Sequence, residues 1–230
     1  MKKMMLIPAY DEENTIAEVL TRVPEGFDKV VIDDGSTDKT AEIARSNGAT
    51  VISHIKNEGV GAAFRTGMTY ARTKRYDVVV TIDSDGQMPP EKIIEIADPI
   101  IKNKADMVVA TRHKFGDTCG KSKPDFYMNA LLSWLTSKAV DYKLTDVTCG
   151  FRAYNKKAIS KLKMKFDSSY TQEALGDVAI AKLRIVEVPV RIEPKRKFGK
   201  SKVLKNRFRR RIFVLRTVYD LWRRRCQKAD

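Results

Sequence analysis

The chain has 230 residues, 43% of them hydrophobic, which is enough for one sizeable core, and nowhere offers the roughly 20 uninterrupted apolar residues of a spanning helix. Its net charge is +15, but residues 195–230 hold 15 Lys or Arg against two acids and carry +13, leaving a nearly neutral body at +2. The opening MKKMMLIPAY is too short in its apolar part for a signal peptide, and Cys119, Cys149 and Cys226 show neither metal spacing nor a disulfide framework, so a cytoplasmic chain with reduced cysteines is expected.

Apolar runs rich in branched residues recur at MMLIP (4–8), KVVID (29–33), ATVIS (49–53), DVVVTID (77–83) and DMVVAT (106–111), and each reads as a buried strand. Between them, residues 12–22, 37–47 (Ser36 as cap, Gly48 as stop), 61–75 and 90–102 have helical spacing. This alternation predicts a parallel sheet covered by helices on both faces, with ligands bound beyond the carboxyl ends of its strands. The polar clusters PAYDEE, DDGSTD, DSDGQ and TRH fall at those ends. After residue 115 the pattern loosens. FGDTCGKSKPD reads as a mobile loop ahead of a helix over 129–140, and RIVEVPVRI (184–192) reads as a last strand, so this second half is expected to receive a second substrate.

TIDSDGQMPP places Asp83 and Asp85 one residue apart where a buried strand ends. Carboxylates at i and i+2 on a turn can converge on one cation, and oxygen ligands with open positions suit Mg2+ or Mn2+ holding a phosphate; a solvated Asp-Gly turn is the plain alternative. Glu12 and Asp34 carry carboxylates that can accept hydrogen bonds from a ribose or a base. Neither G-x-G-x-x-G nor G-x-x-x-x-G-K-[ST] occurs, which argues against dinucleotide and P-loop sites. Asp146, opening DVTCGFR, stands either as a base or as a carboxylate that steadies its loop near Arg152. Glu173 of YTQEAL is a second acid supporting that region, and His54 and His113 are lone histidines without ligand spacing.

Taken in order, IPAYDEE, VIDDGSTDKT, NEGVGAAFRTG, TIDSDGQMPP, ATR, DVTCGFRA and RKFGKSK resemble the family 2 glycosyltransferases of the GT-A fold. Within that family the likeness is to the dolichyl or polyprenyl phosphate mannose synthases and their glucosyl relatives. The resemblance implies an α/β, Rossmann-like, mostly parallel sheet flanked by helices over residues 1–202, with a basic amphipathic helix over 203–230. It also implies a nucleoside site of Pro8, Tyr10, Glu12, Ile32 and Asp34. Asp83 and Asp85 would hold Mg2+ or Mn2+ with Gln87, Ser84 would lie beside the diphosphate, and Arg112 would reach the donor. Arg196 and Lys202, in an R-x-x-G-x-S-K pattern, would bind phosphates, unless they belong simply to the basic surface. The implied partners are a nucleotide sugar such as GDP-mannose or UDP-glucose and a polyprenyl or dolichyl phosphate, in the service of protein glycosylation. One departure concerns the acceptor: relatives commonly carry an arginine a few residues before the asparagine of the flap helix, whereas Phe126, Tyr127 and Met128 precede Asn129 here, leaving Lys121 or Lys123 to substitute.

In the tail, Phe208, Ile212, Leu215, Tyr219 and Trp222 share one helical face, and Arg209, Arg210, Arg216, Arg223 and Arg224 occupy much of the remainder. Such a helix either lies on an anionic membrane surface or packs its apolar stripe on the core. No nucleic-acid readout module accompanies it, so nucleic acid is not expected as a partner, although a basic-armed nucleic-acid-binding protein is the rival from another class. Transfer to a polysaccharide or glycolipid hydroxyl is the rival among enzymes. The expected location is peripheral, at the cytoplasmic face of a membrane.

Overall fold

Successive side chains of a strand point to opposite faces, and in the first apolar run both faces are buried: Met4 and Leu6 enter one core, Met5, Ile7 and Ala9 the other. The sheet they belong to is therefore covered on both sides. The computed structural model describes residues 1–112, 123–163, 165, 170–193, 196, 198 and 207–227. The expected strands form as β1 (Lys3–Ala9), β2 (Asp28–Asp33), β3 (Thr50–Ser53), β4 (Val78–Thr81) and β5 (Met107–Thr111). β6 (Arg152–Asn155) and β7 (Ile185–Pro189) complete a seven-stranded sheet in the order β3-β2-β1-β4-β6-β5-β7.

Helices α1 (Ile16–Thr21), α2 (Thr40–Ser46) and α4 (Ile93–Ile101) cover one face. The other face carries α3 (Val60–Thr73), α5 (Lys123–Val140), α6 (Lys156–Lys161), α7 (Tyr170–Ile180) and α8 (Arg207–Cys226). The expectation of an α/β, mostly parallel sheet flanked by helices holds, with one instructive exception. β6 runs antiparallel between β4 and β5, with Thr81 opposite Arg152 and Val78 opposite Asn155. Its reversed direction puts the start of β6, and the loop before it, at the carboxyl edge of the parallel strands.

Several boundaries differ from the sequence reading for local reasons. α2 begins at Thr40, not at a Ser36 cap, because the Ser36 hydroxyl accepts the Asp11 amide at 2.9 Å. α1 begins only at Ile16, since residues 11–13 are hydrogen-bonded to residues 36–40 instead: the Glu12 amide donates to the Thr40 hydroxyl at 2.7 Å and the Thr37 amide to Asp11 at 2.8 Å. α5 starts at Lys123, ahead of the expected 129. The loop expected after residue 115 falls largely on residues 113–122, and these, with His113, Cys119 and Lys121, lie outside the described residues.

α8 packs on α5 and α7 through a face the sequence pattern does not advertise. Leu221 is fully buried and sits where a side chain on Gly176 would be, 2.3 Å from an added Cβ, so glycine at 176 permits the close approach of α7 and α8. Arg224 is buried next to it and pairs with Asp177, and with Asp220 at 2.7 Å, while Arg225 reaches Asp141 at 3.0 Å.

At the amino ends of β5 and β7, Asp106 joins three strands, accepting the Asn155 side chain at 2.9 Å and the Arg184 guanidinium at 3.1 Å. Those bonds, the Arg184 one foremost, hold its carboxyl down at about 2. A carboxyl lowered on folding stabilises the protein fully above its unfolded value of about 4, and that contribution fades as pH falls toward 2. Asp106→Asn is accordingly expected to cost about 1 kcal/mol at neutral pH, after allowing for screening at the half-exposed Arg184, and to flatten the acid limb of stability. Urea midpoints measured from pH 5 down to pH 2 check this; a parallel offset at all pH values contradicts it.

Candidate active site

Four parallel strands end together, and their carboxyl ends carry Tyr10, Asp34, Asp83 and Arg112. The reversed β6 adds residues 146–151 to the same edge. Asp83 is backed by Gly150, where an added Cβ would stand 3.1 Å from the Asp83 carboxylate and 3.4 Å from the Tyr170 hydroxyl. The Thr81 hydroxyl donates to the Gly150 carbonyl at 2.6 Å and fixes that wall. Removal from water, and next the repulsion of Asp85, push the Asp83 carboxyl up to about 7, although Arg112 and Arg196 pull against the shift. Burial also raises Asp85, whose carboxylate accepts the Gln87 amide at 3.1 Å.

A cluster with this electrostatics favours an added positive charge, and one is present: the Arg196 guanidinium bonds to Glu12 and lies 3.3 Å from Asp85. The donor set also fits a hard dication, being carboxylate oxygen alone. Among the described residues no group of three or more His, Cys, Asp or Glu is placed to hold a metal by itself, so further oxygens would have to come from a phosphate-bearing ligand.

Arg112 is fixed by a rigid network. Its Nε and Nη2 donate to the two oxygens of Asp146 at 2.6 and 2.7 Å, and Nη2 also donates to the Thr148 hydroxyl at 2.8 Å. Thr148 in turn donates to Asn129 of α5 at 3.0 Å, and Glu187 of β7 accepts the Thr145 amide at 2.7 Å. Asp146 is fully buried. Of the two roles open to it from sequence, proton acceptance is at odds with carboxylate oxygens committed to Arg112, and loop-steadying runs through Arg112 rather than Arg152. The Arg152 guanidinium goes to the carbonyls of Cys149 at 2.7 Å, Val147 at 2.9 Å and Thr171.

The remaining expected site residues are distributed as follows. Pro8 and Tyr10 are partly exposed at the β1 end, Glu12 and Ser84 are buried beside them, and the Ile32 side chain belongs to the core. Asp34 is buried and already engaged: one oxygen faces His54 Nδ1 at 2.7 Å and the Glu58 amide at 3.0 Å, the other accepts the Gly59 amide at 2.7 Å. The side chain of Gln87 donates to the Glu193 carbonyl at 2.8 Å and so ties the Asp-x-Asp turn to the chain after β7. Glu173 is buried and accepts the Lys165 amide at 2.9 Å. Lys202 lies outside the described residues. The sequence reading missed Gly150, Thr148 and Tyr170; the first two are adjacent to Asp146 within DVTCGFR, whereas Tyr170 reaches Asp83 only through tertiary packing.

The carboxyl edge thus brings the half-buried carboxylates Asp83 and Asp85 together with the arginines Arg112 and Arg196, at the place where open α/β sheets bind ligands. Residues 5–163 match the family described as "Glycosyl transferase family 2", and the chain belongs to that family. It is 32% identical over 211 residues to the UDP-N-acetylglucosamine–dolichyl-phosphate N-acetylglucosaminyltransferase of Methanococcus voltae, covering 81% of this chain and 84% of that one. It is 28% identical over 226 residues to the undecaprenyl-phosphate mannosyltransferase of Micrococcus luteus, covering 88% of each. Among solved structures, mannosyl-3-phosphoglycerate synthase from Rubrobacter xylanophilus superposes with a TM-score of 0.73 at 16% identity, over 99% of this chain and 75% of that one. Glucosyl-3-phosphoglycerate synthase from Mycobacterium tuberculosis, with uridine diphosphate, gives 0.69 at 21%, over 96% and 80%. These structures share the GT-A fold.

Proposed function

We propose that the protein is an inverting, divalent-cation-dependent hexosyltransferase that moves mannose or glucose from a nucleotide sugar to a polyprenyl or dolichyl phosphate at the cytoplasmic face of a membrane. The observation that carries this reading is the half-buried Asp83–Asp85 pair at the β4 end, with Asp83 backed by Gly150 and both carboxyls raised in pKa, so that a cation is favoured there. The relatives named for undecaprenyl-phosphate and dolichyl-phosphate transfer support the class of acceptor.

In this reading Asp83 and Asp85 hold Mg2+ or Mn2+, and the ion supplies charge stabilisation for the departing diphosphate. Pro8, Tyr10 and Glu12 line the nucleoside side of the cleft. Asp34 supports it from behind, by fixing the His54 and Glu58–Gly59 segment. Arg112, immobilised by Asp146 and Thr148, presents a fixed charge to the donor phosphates without reorganising during the reaction. Arg196 and Lys202 grip phosphate groups from the chain after β7. An acceptor phosphate oxygen is already anionic at neutral pH and attacks without a base, which agrees with the engagement of Asp146.

Direct displacement inverts the anomeric centre, so an α-linked nucleotide sugar gives a β-linked glycosyl phosphate. GDP-mannose, UDP-glucose and, in view of the Methanococcus voltae relative, UDP-N-acetylglucosamine are the donors to present with detergent-dispersed polyprenyl phosphate and Mn2+. One donor is expected to turn over well above the others, with a β-anomeric proton in the product spectrum. An α-linked product contradicts single displacement.

A further inference from the structure

Large apolar side chains stand in solvent on two neighbouring helices, at the same spacing on each. α5 presents Tyr127, Leu131 and Trp134, and α8 presents Leu215, Tyr219 and Trp222, at i, i+4 and i+7 in both cases, each 48–68% exposed. The inner face of α5 buries Asn129, Ser133 and Thr136, and that of α8 buries Thr217, Leu221 and Arg224, so both triads point away from the core. The two helices touch each other on the same side of the sheet. Of the stripe foreseen in the tail, Leu215, Tyr219 and Trp222 are thus not core, while the side chains of Phe208 and Ile212 lie outside the described residues.

We infer that α5 and α8 together form one docking face for an anionic lipid bilayer, with α5 an equal member alongside the basic tail. Tyrosine and tryptophan combine an apolar ring with a polar edge and settle at the boundary between acyl chains and water. The exposed Arg216 and Arg223 flank the α8 triad, in a segment whose net charge is +13. That charge disfavours a second copy of the chain as the occupant, because two such faces repel. Nucleic acid would meet the arginines but leave six apolar side chains unburied. A bilayer with anionic headgroups meets both requirements.

The face is joined to the active site. Asn129, on the inner side of α5, accepts the Thr148 hydroxyl that holds Arg112, so the helix lying on the lipid is two hydrogen bonds from the arginine at the donor phosphates. The inference rests on the lipid-phosphate reading for its purpose, yet it is measured without turnover, so either can fail alone.

Trp134 and Trp222 are the only two tryptophans of the chain, one in each triad, so each helix carries its own reporter. In Trp222→Phe the emission comes from Trp134 on α5 alone, and in Trp134→Phe from Trp222 on α8. With phosphatidylglycerol–phosphatidylcholine vesicles, both single-tryptophan proteins are expected to shift to the blue and to be quenched by brominated acyl chains, and neither with phosphatidylcholine alone. Leu131→Glu with Trp134→Glu should lower the vesicle partition coefficient about tenfold or more, as should Leu215→Glu with Trp222→Glu. Leu221→Ala, which opens the core beneath α8, should lower melting temperature and leave vesicle affinity of the folded protein unchanged. The inference is overturned if Trp134 neither shifts nor is quenched. It is equally overturned if the wild type is a dimer in light scattering that the α5 double variant converts to monomer with vesicle affinity intact.

Discussion

Asp85→Asn is expected to lower turnover by about 10²-fold or more, on the scale seen when one preorganised charge-stabilising group is removed, while leaving the melting temperature unchanged or raised. The two halves of that result have one cause. Burial raises the Asp85 carboxyl and, with Asp85 repulsion added, Asp83 as well, so without a cation each charge works against the fold and each amide relieves it. With a diphosphate bound the requirement reverses, because a neutral amide is a poor ligand for a hard dication. Turnover with nucleotide sugar, together with thermal melting in EDTA and in Mn2+, measures both halves. Full turnover by the variant, or wild-type turnover that survives excess EDTA, contradicts a cation held at this turn.

The second large effect lies at Arg112. Arg112→Ala removes the two-point partner of the fully buried Asp146 and is expected to destabilise by about 3–5 kcal/mol, the usual cost of breaking a buried pair from one side. Arg112→Lys should keep the fold better but lose donor affinity, since an ammonium cannot reproduce the two-point contact with Asp146 that aims the side chain. Asp146→Asn separates positioning from proton transfer. If Asp146 acts through Arg112, the variant raises KM for the donor and keeps the pH dependence of kcat/KM. If it accepts a proton from the acceptor, the acid limb of that profile disappears and KM barely moves.

The contrast between Asp146 and Asp83 shows what a linear sequence discloses. The strands that bury both faces, such as VVVT of β4 and MVVAT of β5, are continuous apolar runs, and the residues that follow them are therefore placed at the sheet edge before any coordinates exist. β6 escapes because RAYN has no apolar run; Arg152 is buried there only because its guanidinium satisfies three backbone carbonyls. Without β6 the DVTCGFR loop has no assigned place, and its aspartate cannot be told from a base. Asp34 and Gln87 were legible as positions but not as contacts, since their partners lie 20 and 106 residues away along the chain. In α8 the helical period put Leu215, Tyr219 and Trp222 on one face, which is exposed, but gave no sign of the buried face opposite. The buried face of Thr217, Leu221 and Arg224 looks polar in sequence, and it becomes a packing surface through α5 and through Gly176 and Asp177 of α7.

The acceptor distinguishes a lipid-phosphate transferase from its rivals most directly. The purified protein, Mn2+ and the donor found by screening should be offered polyprenyl phosphate and 3-phosphoglycerate in competition, with unphosphorylated polyprenol and a free sugar as further hydroxyl acceptors. The hexose is expected on the lipid phosphate as an acid-labile monoglycosyl phosphate and on none of the hydroxyls. Transfer to 3-phosphoglycerate or to the free sugar, with the lipid phosphate left unmodified, would contradict that expectation.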